Sequence, residues 1–204
     1  MTANVQRVGI FGGTFDPVHN AHVALARTAL DALQLDELRW IPAGQPWQKA
    51  RVVSPSAQRE AMLRLAMGDE PRYVLDRIEL ERSGPSYTLD TVRALQQQRP
   101  GNDWFLIIGA DQYAGLHTWS HWRTLLGLVT LAVAARPGET PPVHAEVAAL
   151  AHLAVPLAMM DISSTDIRAR VAAGLPVDHL VPDAVARYID QQALYTNLGA
   201  ATRS

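Results

Sequence analysis

A turn that combines two glycines with two histidines constrains the fold of this chain more than any other feature. Residues 12–22 read GGTFDPVHNAH and follow a short apolar run, VGIF, at residues 8–11. Adjacent glycines permit a tight turn and leave room for a bulky anion. A helix that begins after such a turn offers unpaired backbone N–H groups and a partial positive charge. The order of strand, glycine turn and helix therefore predicts an α/β fold with a phosphate-binding site.

Two histidines mark the start of the predicted helix. His19 and His22 are three residues apart, so both can project from one face of the opening turn. Paired imidazoles beside a phosphate cradle indicate chemistry on the phosphate chain of a nucleotide. The alternative is structural, because glycine pairs after strands and partly buried histidines near helix starts are both common.

Composition limits the class of protein. A length of 204 residues fits one domain, here residues 1–204 with a frayed tail at about 198–204. Hydrophobic residues make up 48% and charged residues 19%, as in soluble globular proteins, and no apolar run suits a membrane helix. Cysteine is absent, which excludes disulfides and thiolate metal sites. The net charge of −2 gives no support for nucleic-acid binding. We therefore expect a cytoplasmic protein.

Apolar periodicity predicts alternating strands and helices. This alternation favours a Rossmann-like, doubly wound parallel sheet with helices on both faces. In such a sheet ligands bind beyond the carboxyl ends of the strands, so the loops at 12–13, 109–111 and 161–164 should open on one edge. The predicted strands are 5–11, 37–42, 72–80 (one strand or two), 104–109, 128–134 and 154–160, and the predicted helices are 20–35, 56–67, 88–97, 143–153, 164–173 and 182–192.

A second group of polar residues, ISSTDIR at 162–168, stands at another predicted helix start. Ser163 as N-cap with Asp166 three residues later would form a capping box. Capping explains Arg168 less well, since positive charge near a helix N-terminus is disfavoured by the helix dipole. A bound anion would make the dipole, the hydroxyl groups and the guanidinium act together, because arginine can grip phosphate with two N–H groups. The anion site would comprise the hydroxyl groups of Ser163, Ser164 and Thr165 and the guanidinium of Arg168.

Lysine is rare in this chain. Of its 18 basic residues, Lys49 is the single lysine, and it follows the second predicted strand in a proline-containing loop. Lysine is a compact and mobile point charge, whereas arginine is a rigid fork. Lys49 is therefore a candidate to reach a triphosphate, and the alternative is a surface lysine without a role.

Both motifs resemble those of a known enzyme superfamily. His19 to His22 resembles the His-x-Gly-His element of the nucleotidyltransferases, with Ala21 in place of glycine, and residues 162–168 resemble their Ile-Ser-Ser-Thr-x-Ile-Arg motif. Segments 86–88, 108–111, 118–119, 135–137 and 188–195 are similar to the bacterial nicotinate-nucleotide adenylyltransferase family. The resemblance covers about residues 5–195. It departs at the loop that usually reads Pro-Pro-His-Lys, where Gln48 replaces histidine.

This resemblance implies a reaction and a set of site residues. The reaction is adenylyl transfer from ATP to nicotinate mononucleotide, giving deamido-NAD and pyrophosphate in NAD biosynthesis. Mg²⁺ would be bound through the ATP phosphates rather than by a protein cage. Nucleic acid and membrane are not expected as partners, and homo-oligomerisation is left open. The implied catalytic residues are His19, His22, Lys49 and Arg168, and the implied ATP-binding residues are Gly12, Gly13, Thr14, Phe15, Gly109, Asp111, Arg136, Ile162, Ser163, Ser164 and Thr165.

The resemblance also assigns the acceptor. Trp119 would stack on the pyridine ring, and N–H groups around Thr88 and Ser120 would bind its carboxylate. Two alternatives remain. A sister adenylyl- or cytidylyltransferase, such as one acting on phosphopantetheine, would share the histidine element, and a nucleotide sensor would lack catalysis. Trp119 together with the segment at 86–88 argues against the former, and the retained charged groups argue against the latter. The implied acceptor residues are Ser86, Tyr87, Thr88, Trp119 and Ser120.

Overall fold

A computed structural model describes residues 5–45, 53–135, 143–158 and 160–196. In this part of the chain six strands form one sheet in the order β3-β2-β1-β4-β5-β6, and every neighbouring pair is parallel. The predicted Lys49 and Arg136 lie outside the described residues. The strands are β1 (Arg7–Gly13), β2 (Glu37–Pro42), β3 (Tyr73–Leu75), β4 (Asp103–Ile108), β5 (Thr130–Ala135) and β6 (Leu153–Pro156).

Helices cover both faces of this sheet. Successive side chains of a strand point to opposite faces, and on β1 Ile10 joins one apolar core whereas Phe11 joins the other. The predicted Rossmann-like, doubly wound fold is confirmed. The helices are α1 (Asn20–Ala32), α2 (Ser56–Met67), α3 (Ile78–Glu81), α4 (Thr88–Gln98), α5 (Ala110–Ala114), α6 (Trp122–Leu126), α7 (Ala145–Ala148), α8 (Ser164–Ala172) and α9 (Asp183–Gln191), with a 3₁₀ turn at Leu116–Thr118.

Two sequence-based assignments are wrong. Residues 72–80 were expected to be extended, but strand β3 ends at Leu75 and helix α3 follows, because the Asp76 carboxylate accepts the Ile78 N–H and turns the chain. Residues 143–153 were expected to be helical, but the helix covers only Ala145–Ala148. Leu153 instead opens β6 by pairing with β5, so sheet formation overrides the local helix propensity.

The strand order places the ligand site. It reverses between β1 and β4, which are direct neighbours near the middle of the sheet. Such a reversal leaves a crevice at the carboxyl ends of the two strands. The turn after β1 carries the histidines, and the turn after β4 carries Gly109 and Asp111, so two of the segments predicted to bind ATP flank the same crevice.

Candidate active site

A cavity of about 590 Å³ opens at this crevice. It is lined by the turns after β1 and β4, the start of α8 and the start of α4, so the loops predicted to share one edge do so. Lys49 and Arg136 are outside the described residues, and Arg168 is not among the lining residues. All the other predicted site residues line the cavity: Gly12, Gly13, Thr14, Phe15, His19, His22, Ser86, Tyr87, Thr88, Gly109, Asp111, Trp119, Ser120, Ile162, Ser163, Ser164 and Thr165.

The two histidines contact each other at the start of α1. His19 is the N-cap, and its backbone N–H donates to Nδ1 of His22 over 3.2 Å. Their rings stack with centroids 3.6 Å apart. Because Nδ1 of His22 accepts a hydrogen bond, the proton of the neutral imidazole resides on Nε2. His22 can therefore present an Nε2–H donor to an anion.

His19 is more deeply buried than its partner. Its exposed fraction is 6%, and burial lowers its pKa to about 4 because the charged form loses solvation. Among the described residues its Nδ1 has no hydrogen-bond partner. At neutral pH the imidazole is therefore uncharged and can offer a ring N–H as a hydrogen-bond donor but no positive charge. A neighbouring polyphosphate would raise its pKa.

The structure, unlike the sequence, explains why residue 13 is glycine. A Cβ added there would lie 2.8 Å from the ring of Phe15. That ring is 2% exposed and packs edge-on to the rings of Phe11 and His22, with centroids 5.5 and 5.1 Å away. The Phe15 side chain thus packs against His22, while its backbone is part of the loop between β1 and α1.

The buried carboxylate of Asp16 stabilises the loop that joins β1 to α1, residues 14–19, which is called the histidine turn below. Asp16 is 1% exposed; its Oδ1 accepts the Tyr195 hydroxyl at 2.8 Å and its Oδ2 accepts the Ser54 N–H at 3.3 Å. The Arg59 guanidinium donates to the carbonyl of Thr14 at 3.0 Å. Sequence analysis missed Asp16, Arg59 and Tyr195 because these contacts join segments far apart in the chain.

The start of α8 has the predicted Ser163 N-cap and is attached to the histidine turn. Ser163 is the N-cap, and its side chain accepts the Asp166 N–H at 3.0 Å. The next hydroxyl, that of Ser164, donates to the carbonyl of Pro17 at 2.9 Å. The motif therefore holds the N-terminus of α8 beside the N-terminus of α1, and both helix ends face the cavity.

Arg168 contacts the histidine turn and is not among the residues that line the cavity. It is 5% exposed, and its guanidinium donates to the Asp16 carbonyl at 2.6 Å and to Thr165 Oγ1 at 3.1 Å. A side chain in the second turn of a helix points back toward the helix N-terminus, which brings this guanidinium under the turn instead of into the cavity lining. Its assignment to bound phosphate stays a prediction, and its visible contacts are structural.

The segment predicted to bind the acceptor lies in the cavity wall. Tyr87 caps helix α4, whose first residue is Thr88, and both line the cavity together with Trp119 and Ser120. The first N–H groups of a helix lack carbonyl partners of the regular helical pattern, which makes a helix start a common place for an anion to bind. The loop at 119–121 is conformationally constrained, since His121 has a φ of 52°, in the left-handed region that non-glycine residues rarely occupy.

Two further cavity residues escaped the sequence analysis, Glu79 and Thr91. Both are buried, and Thr91 Oγ1 donates to Glu79 Oε1 at 2.7 Å. Burial raises the pKa of the Glu79 carboxyl, opposed by hydrogen bonds from Thr91 and Ser86. The nearby Ser-Tyr-Thr segment was the one signal available, and the expected strand over 72–80 concealed the helix that carries Glu79.

Within the described ranges no group of three or more His, Asp or Glu side chains could hold a metal ion. Among the helices of that part of the chain, none combines the length and the apolar character needed to cross a bilayer.

Comparison with known proteins places this chain in a family. Residues 10–170 match the model of the cytidylyltransferase-like family. A protein of Methylibium petroleiphilum named "Probable nicotinate-nucleotide adenylyltransferase" is 50% identical over 202 residues, which cover 96% of this chain and 95% of that protein. The chain belongs to the nicotinate-nucleotide adenylyltransferase family. A second relative in that family, from Bordetella petrii, is 44% identical and covers 94% of this chain and 100% of its own.

A solved structure agrees on the fold of this nicotinate-nucleotide adenylyltransferase family member. The Plasmodium falciparum nicotinic acid mononucleotide adenylyltransferase complexed with NaAD superposes with a TM-score of 0.80. The match covers 94% of this chain and 98% of the Plasmodium chain, at 15% sequence identity. At that identity the likeness concerns architecture, and it agrees with the doubly wound sheet described above.

Proposed function

We propose that this protein transfers the adenylyl group of ATP to nicotinate mononucleotide, forming deamido-NAD and releasing pyrophosphate. The observation that carries the proposal is one cavity lined by two helix N-termini, the paired histidines and the Ser86–Thr88 and Trp119–Ser120 segments. Membership of the family supports it. The Plasmodium enzyme of the same fold is described as complexed with NaAD, the product of this reaction.

The reaction makes one bond and breaks one. A phosphate oxygen of the mononucleotide attacks the α-phosphorus of ATP, and the bond from that phosphorus to the bridging oxygen of pyrophosphate breaks. The nucleophile is already an anion, so no strong base is required. The protein has to align two polyanions and stabilise the charge that develops on the α-phosphate and the leaving group.

The described residues can supply that stabilisation. The N-terminus of α1 and the N-terminus of α8 both direct partial positive charge to the cavity. The Nε2–H of His22 and the imidazole of His19 would donate to the phosphate chain. The turn at Gly109 and Asp111 would hold the adenosine. Lys49, Arg136 and Arg168 remain proposed phosphate contacts.

Mg²⁺ belongs to the substrate side of this proposal. The donors at the phosphate end are backbone N–H groups, hydroxyls and imidazoles, which suit phosphate oxygens and not a hard cation. We therefore propose that phosphate oxygens and water hold the ion. When bound, it neutralises part of the triphosphate charge.

The proposed acceptor preference follows from hydrogen-bonding pattern. Backbone N–H groups near Thr88 and Ser120 would satisfy a carboxylate, which accepts hydrogen bonds, but would oppose the NH₂ group of nicotinamide. A site built for one pattern rejects the other because buried polar groups are left unpaired. Stacking on Trp119 would serve both rings equally.

Pyrophosphate release from ATP tests the proposal, with nicotinate mononucleotide, nicotinamide mononucleotide and phosphopantetheine compared side by side. We expect kcat/KM for the acid to exceed that for the amide by on the order of 10²-fold or more. Equal use of acid and amide would overturn the acceptor assignment while leaving adenylyl transfer intact. Preference for phosphopantetheine would identify a sister enzyme, and no release with any acceptor would favour a nucleotide sensor.

Trp119→Ala gives a second measurement in the same assay. Loss of the stacking surface should lower kcat/KM for acid and amide by similar factors, so that the ratio between them persists. A collapse of that ratio would show that Trp119 itself selects the acid.

A further inference from the structure

Glu79 is a buried acidic side chain in the cavity wall to which the proposed chemistry gives no task. Its exposed fraction is 7%, and it is on the short helix α3, between β3 and the acceptor segment at Ser86–Thr88. An acidic group beside a site for an anionic substrate is unfavourable unless it has another role, because like charges repel. Its contacts define that role.

The first set of contacts holds the start of α4. Thr91 Oγ1, in the first turn of that helix, donates to Glu79 Oε1 at 2.7 Å. Arg82 donates to the same Thr91 oxygen at 3.2 Å and reaches the carbonyl of Tyr87, the N-cap, at 3.5 Å. Glu79 and Arg82 therefore hold the start of α4, whose N–H groups would bind the acceptor carboxylate.

The second set of contacts holds the chain after β2. Ser86 is hydrogen-bonded to Glu79, and its Oγ accepts the N–H groups of Gly44 and Gln45 at 3.0 and 3.3 Å. Gly44 packs so closely that a Cβ there would overlap the carbonyl oxygen of Glu79. The backbone and the side chain of Glu79 thus join the segment after β2 to the acceptor segment.

We propose that Glu79 is a positioning residue for the acceptor half of the site, which holds the Ser86–Thr88 segment in register with the chain after β2. This inference rests on the proposed function. Glu79 acts through Thr91 and Ser86 and does not itself bind substrate. Its loss should therefore disturb acceptor binding more than ATP binding, since the ATP half is built on α1, α8 and the turn after β4.

Steady-state kinetics of Glu79→Leu and Glu79→Gln test the inference. Leucine has a similar volume but forms no hydrogen bond to Thr91 or Ser86. We expect KM for the acceptor to rise by on the order of 10-fold while KM for ATP changes by less than about 2-fold. Glutamine keeps an oxygen for Thr91, so it should restore the acceptor KM to within about 3-fold of wild type. Glu81→Leu is the matched control, because the Glu81 side chain on the same helix is 68% exposed, and it should leave both KM values unchanged.

This asymmetry separates positioning from a merely structural role. Partial unfolding of Glu79→Leu would lower the active fraction and hence apparent kcat, but it would leave both KM values unchanged. Equal rises in the two KM values, a fall in kcat alone, or failure of glutamine to rescue would each overturn the inference. The wild type is measured first with all three acceptors, and the ratios are taken with whichever it uses. A wild type that uses none overturns the proposed function, and this inference with it.

Discussion

The backbone N–H of His19 donates to Nδ1 of His22, and the two imidazole rings stack with centroids 3.6 Å apart at the start of α1. This arrangement gives the two side chains different protonation properties. The cap fixes the tautomer of His22 so that Nε2 carries its proton, whereas burial keeps His19 uncharged at neutral pH. Two residues that look equivalent in the sequence are thus distinguished by their hydrogen bonds and burial.

His22 should be essential for turnover. His22→Ala removes the Nε2–H donor, and we expect kcat to fall by about 10²–10⁴-fold, the range of one positioned catalytic group. His22→Asn is the informative companion, because its amide oxygen can still accept the His19 N–H while the distal donor is lost. Near-normal turnover in either folded variant, as checked by circular dichroism, would exclude the catalytic role.

His19 should make stability depend on pH. The unfolded chain protonates this imidazole below a pKa of about 6.5, but the folded protein does so only near its pKa of about 4. Between these values the unfolded state binds more protons, so the free energy of unfolding falls as the pH is lowered. Across that window the contribution is about 3 kcal/mol. Denaturant unfolding of wild type and His19→Gln from pH 7 to 4 measures it, and parallel curves would contradict the prediction.

Tyr195 should stabilise the histidine turn through Asp16. Tyr195→Phe leaves Oδ1 of a buried carboxylate without the hydroxyl that now donates at 2.8 Å. Loss of a hydrogen bond to a charged group costs about 1.5–3 kcal/mol, which we expect as a decrease in the free energy of unfolding. Tyr188→Phe, on α9, is the control for loss of a tyrosine hydroxyl. Unchanged stability in Tyr195→Phe would show that Ser54 and Arg168 suffice to hold the turn.

Lys49 should matter as a lysine. Lys49→Ala should raise KM for ATP or lower kcat, and Lys49→Arg should not fully restore activity, because a planar guanidinium does not replace a mobile ammonium group at the same reach. Arg51→Ala, two residues further along the chain, serves as the control for loss of a positive charge. Wild-type kinetics in Lys49→Ala would reduce this lysine to a surface charge.

Much of the fold could be predicted because its signals are local. The bounds 37–42 and 56–67 agree with β2 and α2, since apolar periodicity and strand length are properties of neighbouring residues. The glycine turn, the spacing of His19 and His22 and the Ser163 cap are local as well. Together with the rule that ligands bind at the carboxyl ends of parallel strands, they placed most of the candidate site on one edge.

Tertiary structure decided which partners the buried side chains contact. The pairing of Leu153 with β5 turned a predicted helix end into a strand, and burial left His19 uncharged. Arg168 reached the Asp16 carbonyl 152 residues away, and Tyr195 reached the Asp16 carboxylate across 179 residues. Such contacts depend on how distant segments pack together, and no local pattern records which partner a buried polar group will find. The sequence by itself therefore determined most of the elements and the motifs, whereas the packed fold determined the remaining elements, which site residues line the cavity and which of them support it.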